Sequence, residues 1–483
     1  MEEKQDFKEK TYRHLLAFLK EELSDINNKD CFSRFEIEIK DNLKDIDLID
    51  FLYNQEAEVK TYWSSRSNNF EIAAIGFSDI LRSSRSSYGS CGFAANTTLS
   101  RDLQSAYEKA ISRLSSSKNI VRYYACISFN SSDDKTDIWD KFGKYYMIVP
   151  EFEFFKKDGK SFFAFNLFCN NKNREEGKEY IEGALKRFLK INTDFIKNTN
   201  KKQYLENFNA IKRTDIPDKN QWIKNIKSLI SEFSIRKISK VVLARKTLIE
   251  LDEKADSINI IKLLKNININ TYNFCFKFDS EDSFLGCSPE LLFSRRGKII
   301  SSDAIAGTCS YSKDSDTQNN FSPSLLNSIK DFEEYKFVYD SIKTSLEKIS
   351  SSIKIIKNKE ILQLSYLQHI CSQFEAVINE GVDDFRAMCA LHPTPAVAGY
   401  PKYESIKFIN KYEPFPRGFY CGPVGWFTFD ESEFAVAIRS SIINKNNIIL
   451  FSGAGIVQKS DPSLEWDEIE NKIDPFLRIT NLL

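Results

Sequence analysis

The sequence predicts an α+β fold built on large antiparallel sheets, and three observations carry that reading. Short strand-like runs crowd residues 61–175, among them "FEIAAIGF", "VRYYACISF", "YYMIVPEFEFF" and "SFFAFNLF". Beyond Pro217, strands and helices mix irregularly, without the strict βαβ alternation of a doubly wound sheet. With 483 residues, 42% of them hydrophobic, the chain can bury a sizeable core.

The elements follow in order. Residues 1–60 read as largely helical and polar, and helices are expected near 101–115 and around 175–192. The Lys/Asn-rich stretch "IKNTNKKQYLENFNAIKRTDIPDKN", broken by Pro217, reads as a connection over the surface. "KISKVVLARKT" (Lys237–Thr247) reads as a strand with Ile238, Lys240, Val242 and Ala244 on one face. Lys240 thus shares a face with apolar neighbours some way in from the strand's start, and an ammonium turned inward asks for a reason.

Two further strands carry unusual residues. In "FAVAIRSSI", Ala435, Ala437, Arg439 and Ser441 share a face. Small residues beside one arginine leave room for a bidentate grip on a carboxylate, and the same pattern suits an interstrand salt bridge. In "SFLGCSPELLF", Ser288-Pro289 breaks the strand and sets Glu290 just after a turn, as an edge or capping residue or as an acid in a cleft. "FSGAGIV" (Phe451–Val457) lacks the Lys-Ser/Thr of a phosphate loop and reads as a tight turn whose N–H groups could approach an anion.

Two acidic helices complete the set. "KDFEEYKFVYDSIKTSLEKI" has an apolar stripe of Tyr335, Val338, Ile342, Leu346 and Ile349, with Glu334 at its rim. Asp461-Pro462 starts a second helix, "SLEWDEIENKI", where Glu465, Glu468 and Lys472 share a face. Solvated faces and ordinary ion pairs account for either helix taken alone.

Composition excludes several classes. Lys+Arg and Asp+Glu both total 68, so no net basic field draws nucleic acid or an anionic membrane. No apolar run approaches 18 residues, and the charged N-terminus lacks a signal-peptide core. The ten cysteines form no C-x-x-C pair, which suits reduced thiols in a cytoplasmic chain. Three histidines (His14, His369, His392) without an HExxH cannot build much of a metal site.

Taken together, the blocks resemble the chorismate-utilising enzymes. The marks are "KVVLAR" at 240–245, "FLGCSPELL" at 284–292, "AIAGT" at 304–308 and "KDFEEYKFVYD" at 330–340. They continue with "LQHI" at 367–370, "LHPTPAVAGYP" at 391–401, "FYCGPVGW" at 419–426, "AIRS" at 437–440, "FSGAGIV" and "EWDEIENK". The resemblance spans roughly 217–478; earlier it is limited to "WDKFGKYYMIVPEFEF". It implies two layered antiparallel sheets with helices packed outside. Residues 1–210 would be a helical and sheet region of the same overall fold, and 211–483 the chorismate-binding catalytic region.

The resemblance also implies an activity. Chorismate would become isochorismate by addition of water at ring C2 with loss of the C4 hydroxyl, in an Mg²⁺-dependent reaction needing no obligate protein partner. Lys240 then looks like the general base and Glu290 like the general acid. Glu334 and Glu468 resemble the Mg²⁺ ligands, with Glu465 close by. Arg439 and Lys472, with backbone around Gly307, Thr308 and Gly453, resemble the groups that hold the substrate's carboxylates, and His369 matches a histidine lining that pocket. A solvated lysine titrates near ~10.4 and a base works near ~7–8, so apolar neighbours and Mg²⁺ are expected to depress Lys240.

Relatives that use ammonia generally carry an uncharged residue, often Gln, at the Lys240 position, so lysine implies water as nucleophile. Salicylate-forming relatives share the lysine, eliminate pyruvate, and tend to place Thr where this chain has Ala396. Family members serve menaquinone and siderophore synthesis. The alternatives are the pyruvate-eliminating activity and a non-catalytic chorismate-binding homologue. Cys287 and Phe332-Glu333 depart from the family pattern, and the second leaves two neighbouring glutamates as candidates for the metal.

Overall fold

The computed structural model describes residues 2–24, 30–39, 46–83, 98–117, 120–131, 138–193, 207–236, 238–310, 328–364 and 367–482. The first half contains α1 (Glu2–Ser24), β1 (Cys31–Ile39), α2 (Leu48–Tyr53), β2 (Lys60–Ser64), β3 (Phe70–Ile75), β4 (Asp79–Arg82) and α3 (Arg101–Ser115). There follow β5 (Tyr123–Ile127), β6 (Tyr145–Val149), β7 (Phe152–Lys157), β8 (Lys160–Cys169), α4 (Asn171–Lys190), β9 (Ala210–Ile216) and α5 (Lys219–Arg236). The second half opens with β10 (Lys240–Leu251), α6 (Ser257–Ile267), β11 (Tyr272–Lys277), β12 (Asp282–Ser288), β13 (Leu291–Arg296), β14 (Ile299–Ser310) and α7 (Ile329–Ile349). It continues through β15 (Ser350–Gln363), β16 (Leu367–Ile378), α8 (Asp384–Leu391), β17 (Gly399–Tyr400) and α9 (Lys402–Tyr412). It closes with β18 (Pro423–Phe427), β19 (Glu431–Val436), β20 (Ser440–Asn444), β21 (Asn447–Ile456) and α10 (Pro462–Arg478).

Among the described residues the strands make two sheets. The first has 12 strands in the order β1-β8-β7-β3-β2-β11-β12-β20-β21-β10-β17, with β9 also on β10; the second has 9, in the order β15-β16-β14-β13-β19-β18-β5-β6-β4. Their ladders run antiparallel, as the irregular element order predicts. Strands from before and after residue 210 share both sheets, since β2 pairs with β11 and β5 with β18. No helix among the described residues is long and apolar enough to cross a membrane.

Several expectations need correction. Residues 31–39 of the supposedly helical N-terminal stretch form β1, where Phe32 is fully buried. Residues 210–216 of the supposed surface connection form β9, paired with β10; residues 194–206 lie outside the described residues. "FSGAGIV" is no turn: it is the end of β21, in register with β10 through Gly453↔Ala244 and Gly455↔Val242. Glycine weakens strand propensity through its backbone entropy and missing side chain, but here the ladder to β10 holds the segment extended.

β10 is the strand that matters most. It opens on Lys240, so the lysine stands at the strand's start rather than within it, and Lys240 through Arg245 are all buried. Its backbone is gripped from outside the sheet by a buried pair. Arg417 donates to Val242 O (2.8 Å) and Val397 O (2.7 Å), while Glu413 accepts from Ala244 N–H (2.8 Å) and from the Arg417 guanidinium. Both side chains are 2% exposed, so each charge depends on the other for solvation. Replacing Arg417 by Met therefore leaves a buried carboxylate uncompensated. Chemical denaturation of that variant is expected to show a loss of about 3–5 kcal/mol.

Candidate active site

Two crossings between the sheets build the site. β12 ends at Ser288, and Pro289-Glu290 carry the chain to β13 in the other sheet. β19 ends at Val436, and residues 437–439 carry it back to β20. The crossings are tied together: Val436 N–H donates to Glu290 O (3.0 Å), Cys287 N–H to Arg439 O (3.1 Å), and the Ser288 hydroxyl to Val436 O (2.6 Å). Pro289, which has no N–H, sits where no ladder bond is required.

Arg439 is therefore not a strand residue. The expected face of Ala435, Ala437, Arg439 and Ser441 is interrupted, because the backbone leaves the sheet at Val436 and Arg439 adopts φ 49°. A non-glycine residue in that region costs roughly 1–3 kcal/mol, here offset by the ties between the crossings. The strain re-aims the guanidinium into a cavity.

That cavity has about 790 Å³ of empty space, part of it open to solvent. Of the residues singled out from sequence, Glu290, Gly307, Glu334 and His369 line it. So do Arg439, Gly453, Glu468 and Lys472. Thr308 pairs with His369 through its backbone; its side chain lies outside the described residues. Glu465 is buried but does not line the cavity.

Lys240 is fully buried, and its Nζ donates to Glu334 Oε1 at 2.7 Å. The expected apolar surroundings are thus incomplete, because a carboxylate from α7 faces the amine. A parallel pair stands on α10: Lys472 Nζ donates to Glu468 Oε1 (2.7 Å) and to Gly453 O (2.8 Å). Glu334 and Glu468 are thus each held by one lysine. Gly455 makes the first pair possible. A Cβ there would stand 2.6 Å from Lys240 Cε and 3.0 Å from Glu334 Oε1.

Glu290 is 3% exposed and accepts from the Thr394 hydroxyl at Oε1 (3.1 Å). Burial pushes its carboxyl up to about 7, against the Thr394 bond and the Lys240 charge. Thr394 occupies Oε1, which leaves Oε2 without a side-chain donor from that residue. His369 is fixed by its two neighbours: Nδ1–H donates to Gly307 O (3.2 Å), leaving Nε2 to accept from Arg439 Nη2 (3.4 Å). Burial, then Arg439 and Lys472, push it down to about 3, so the ring is neutral.

Burial lowers Arg439 to about 10, and it stays a cation near neutrality. Among the described residues, no carboxylate is within ion-pair distance of it. The cavity thus offers a guanidinium without a carboxylate partner among the described residues, an acid biased toward its protonated form and two glutamates from separate helices.

A family model described as "Chorismate binding enzyme" matches residues 22–481. The chain belongs to the chorismate binding enzymes. A chloroplastic isochorismate synthase from Catharanthus roseus is 30% identical over 371 residues, covering 76% of this chain and 63% of that protein. The isochorismate synthase MenF of Escherichia coli is 34% identical over 256 residues, covering 53% of this chain and 59% of that protein. The chain thus spans less than two thirds of the length of these curated relatives. Among solved structures, the menaquinone-specific isochorismate synthase of Escherichia coli superposes with TM-score 0.80 at 25% identity, over 98% of this chain and 99% of that one.

Sequence reasoning missed three parts of this chorismate binding enzyme's site. Thr394 lies inside the quoted "HPTPAVAG" block, but nothing in that block shows that it faces Glu290, 104 residues away. Gly455 is the second glycine of "GAG", whose role depends on what crosses above it. Glu413 and Arg417 are four apart, though a Pro-containing segment between them removes the helical cue.

Two expectations follow. Gly455→Ala must push Lys240 and Glu334 apart; turnover should fall at least tenfold while the melting temperature stays within a few degrees, read by activity assay and calorimetry. Glu290 favours its protonated form in the fold, so its contribution is present at pH 4 and lost as pH rises through about 7. Glu290→Gln, which mimics that form, should melt close to wild type at pH 4 and above it at pH 8.

Proposed function

We propose that this chain is an isochorismate synthase, converting chorismate to isochorismate. One arrangement carries the reading: a half-buried guanidinium with no carboxylate partner among the described residues lines the same cavity as a buried carboxyl that desolvation biases toward its protonated form. Arg439, with Lys472, meets the substrate's carboxylates by charge-assisted hydrogen bonds. Glu290 hands its proton to the C4 oxygen, which departs as water while the double bonds shift. Lys240 takes a hydrogen from the water that attacks C2. One water enters and one leaves, so the reaction is an isomerisation without redox change. Each proton transfer supplies roughly 10²–10⁴-fold.

Glu334 and Glu468 are oxygen donors converging on one cavity, and among the described residues no three His, Cys, Asp or Glu side chains gather into a metal cage. That set fits Mg²⁺, which keeps several waters and needs only one or two protein carboxylates. When bound there, Mg²⁺ would supply positive charge for a substrate carboxylate and for the two glutamates.

Ala396 lines the cavity, where salicylate-forming relatives tend to carry Thr, and this favours release of isochorismate over pyruvate elimination. A cytoplasmic setting and supply of menaquinone synthesis belong to the same reading, the latter from likeness to the menaquinone-specific enzyme. Purified protein with chorismate and Mg²⁺ should yield isochorismate by chromatography, with no pyruvate, and lose turnover on chelation. Stoichiometric pyruvate would instead make it a salicylate-forming enzyme, and binding without turnover a non-catalytic homologue. Lys240→Ala should lower turnover at least about 10²-fold, with chorismate binding changed only a few-fold.

A further inference from the structure

The N-terminal half of the chain touches the peptide group that carries Glu290 through Arg66. Arg66 lies in the turn between β2 and β3, 223 residues from its main-chain partner. Its Nη1 donates to Pro289 O at 2.9 Å, and its Nη2 donates to Asp303 Oδ2 at 2.6 Å. Pro289 O belongs to the peptide group that enters Glu290, so this contact fixes the plane from which the acid projects. The guanidinium also lies over the Tyr272 ring, 5.5 Å from its centroid.

Asp303, on β14, has a fully buried side chain, and its Oδ1 has no hydrogen-bond partner among the described residues. A structural ion pair would ordinarily satisfy both oxygens of a buried carboxylate, because an unsatisfied one costs stability. This one is held by a single guanidinium nitrogen. Around Glu290 stand Lys240 from β10, Lys472 from α10, the Cys421 thiol and Asp303. Asp303 is the one carboxylate among them, and its charge opposes ionisation of the acid.

We propose that Arg66 and Asp303 are positioning residues for Glu290: the guanidinium fixes the Pro289 carbonyl, and the aspartate fixes the guanidinium. The inference rests on the isochorismate synthase reading. It gives the N-terminal half a part in the chemistry, through geometry rather than contact with substrate. A displacement of the acid by an ångström or so is enough to cost roughly 10²-fold in rate.

The test compares full-length wild type, Arg66→Lys, Arg66→Gln and Asp303→Asn for kcat, KM and pH profile with chorismate and Mg²⁺. Arg66→Gln should lower kcat roughly 10- to 100-fold with KM within threefold, and Arg66→Lys should recover part of the loss. Glu290 acts only when protonated, so its ionisation sets the basic limb of the profile. Asp303→Asn removes a neighbouring negative charge and should move that limb to lower pH; Arg66→Gln leaves the aspartate uncompensated and should move it to higher pH. Unchanged kcat and limb in both variants, or shifts in the same direction, would overturn the proposal. If Arg66→Gln does not fold, the charge-conserving Arg66→Lys and the near-isosteric Asp303→Asn decide by the same readings. A wild type that leaves chorismate untouched would sink the functional reading instead.

Discussion

The arrangement depends on one constraint, the stitching of two neighbouring sheet-to-sheet crossings. The Val436–Glu290 and Cys287–Arg439 main-chain bonds fix the two links against each other. Without them, Glu290 would be a strand-edge carboxylate and Arg439 a surface cation. With them, one link presents an acid and the other a guanidinium to the same cavity. The left-handed backbone at Arg439 is the local cost of that arrangement.

Burial then separates the chemical roles. Glu290 loses water without gaining a direct cationic partner and is biased toward its protonated form. His369 is biased toward losing its proton, first by burial and then by the two cations that face it, Arg439 and Lys472. Two further carboxylates of the cavity pair with lysines, Glu334 with Lys240 and Glu468 with Lys472. The cavity keeps both signs of charge, and the internal ion pairs offset part of the electrostatic cost of bringing them together.

Much of this was legible along the chain because certain residue types are chemically conspicuous. An inward lysine at position 240, a Pro-Glu step at 289–290, a lone arginine among small residues and acidic helices with clean apolar stripes all stand out from ordinary patterning. The stripe from Tyr335 to Leu346 is buried as its spacing demands, and Asp461 caps α10. Local rules failed where a neighbouring strand overrode propensity. The glycines of β21 form a strand because β10 lies beside them, and "FAVAIRSSI" is split because its two ends belong to different sheets.

The sequence by itself determined the class of fold, the order of the motifs and the chemical inventory of the site, because periodicity and side-chain type are local properties. Only the tertiary structure decided which groups meet. Lys240 finds Glu334 across 94 residues, Glu290 finds Thr394 across 104, and Arg66 finds Pro289 across 223. Such partners are chosen by how two sheets stack and cross, a matter of long-range packing that no short window of residues encodes.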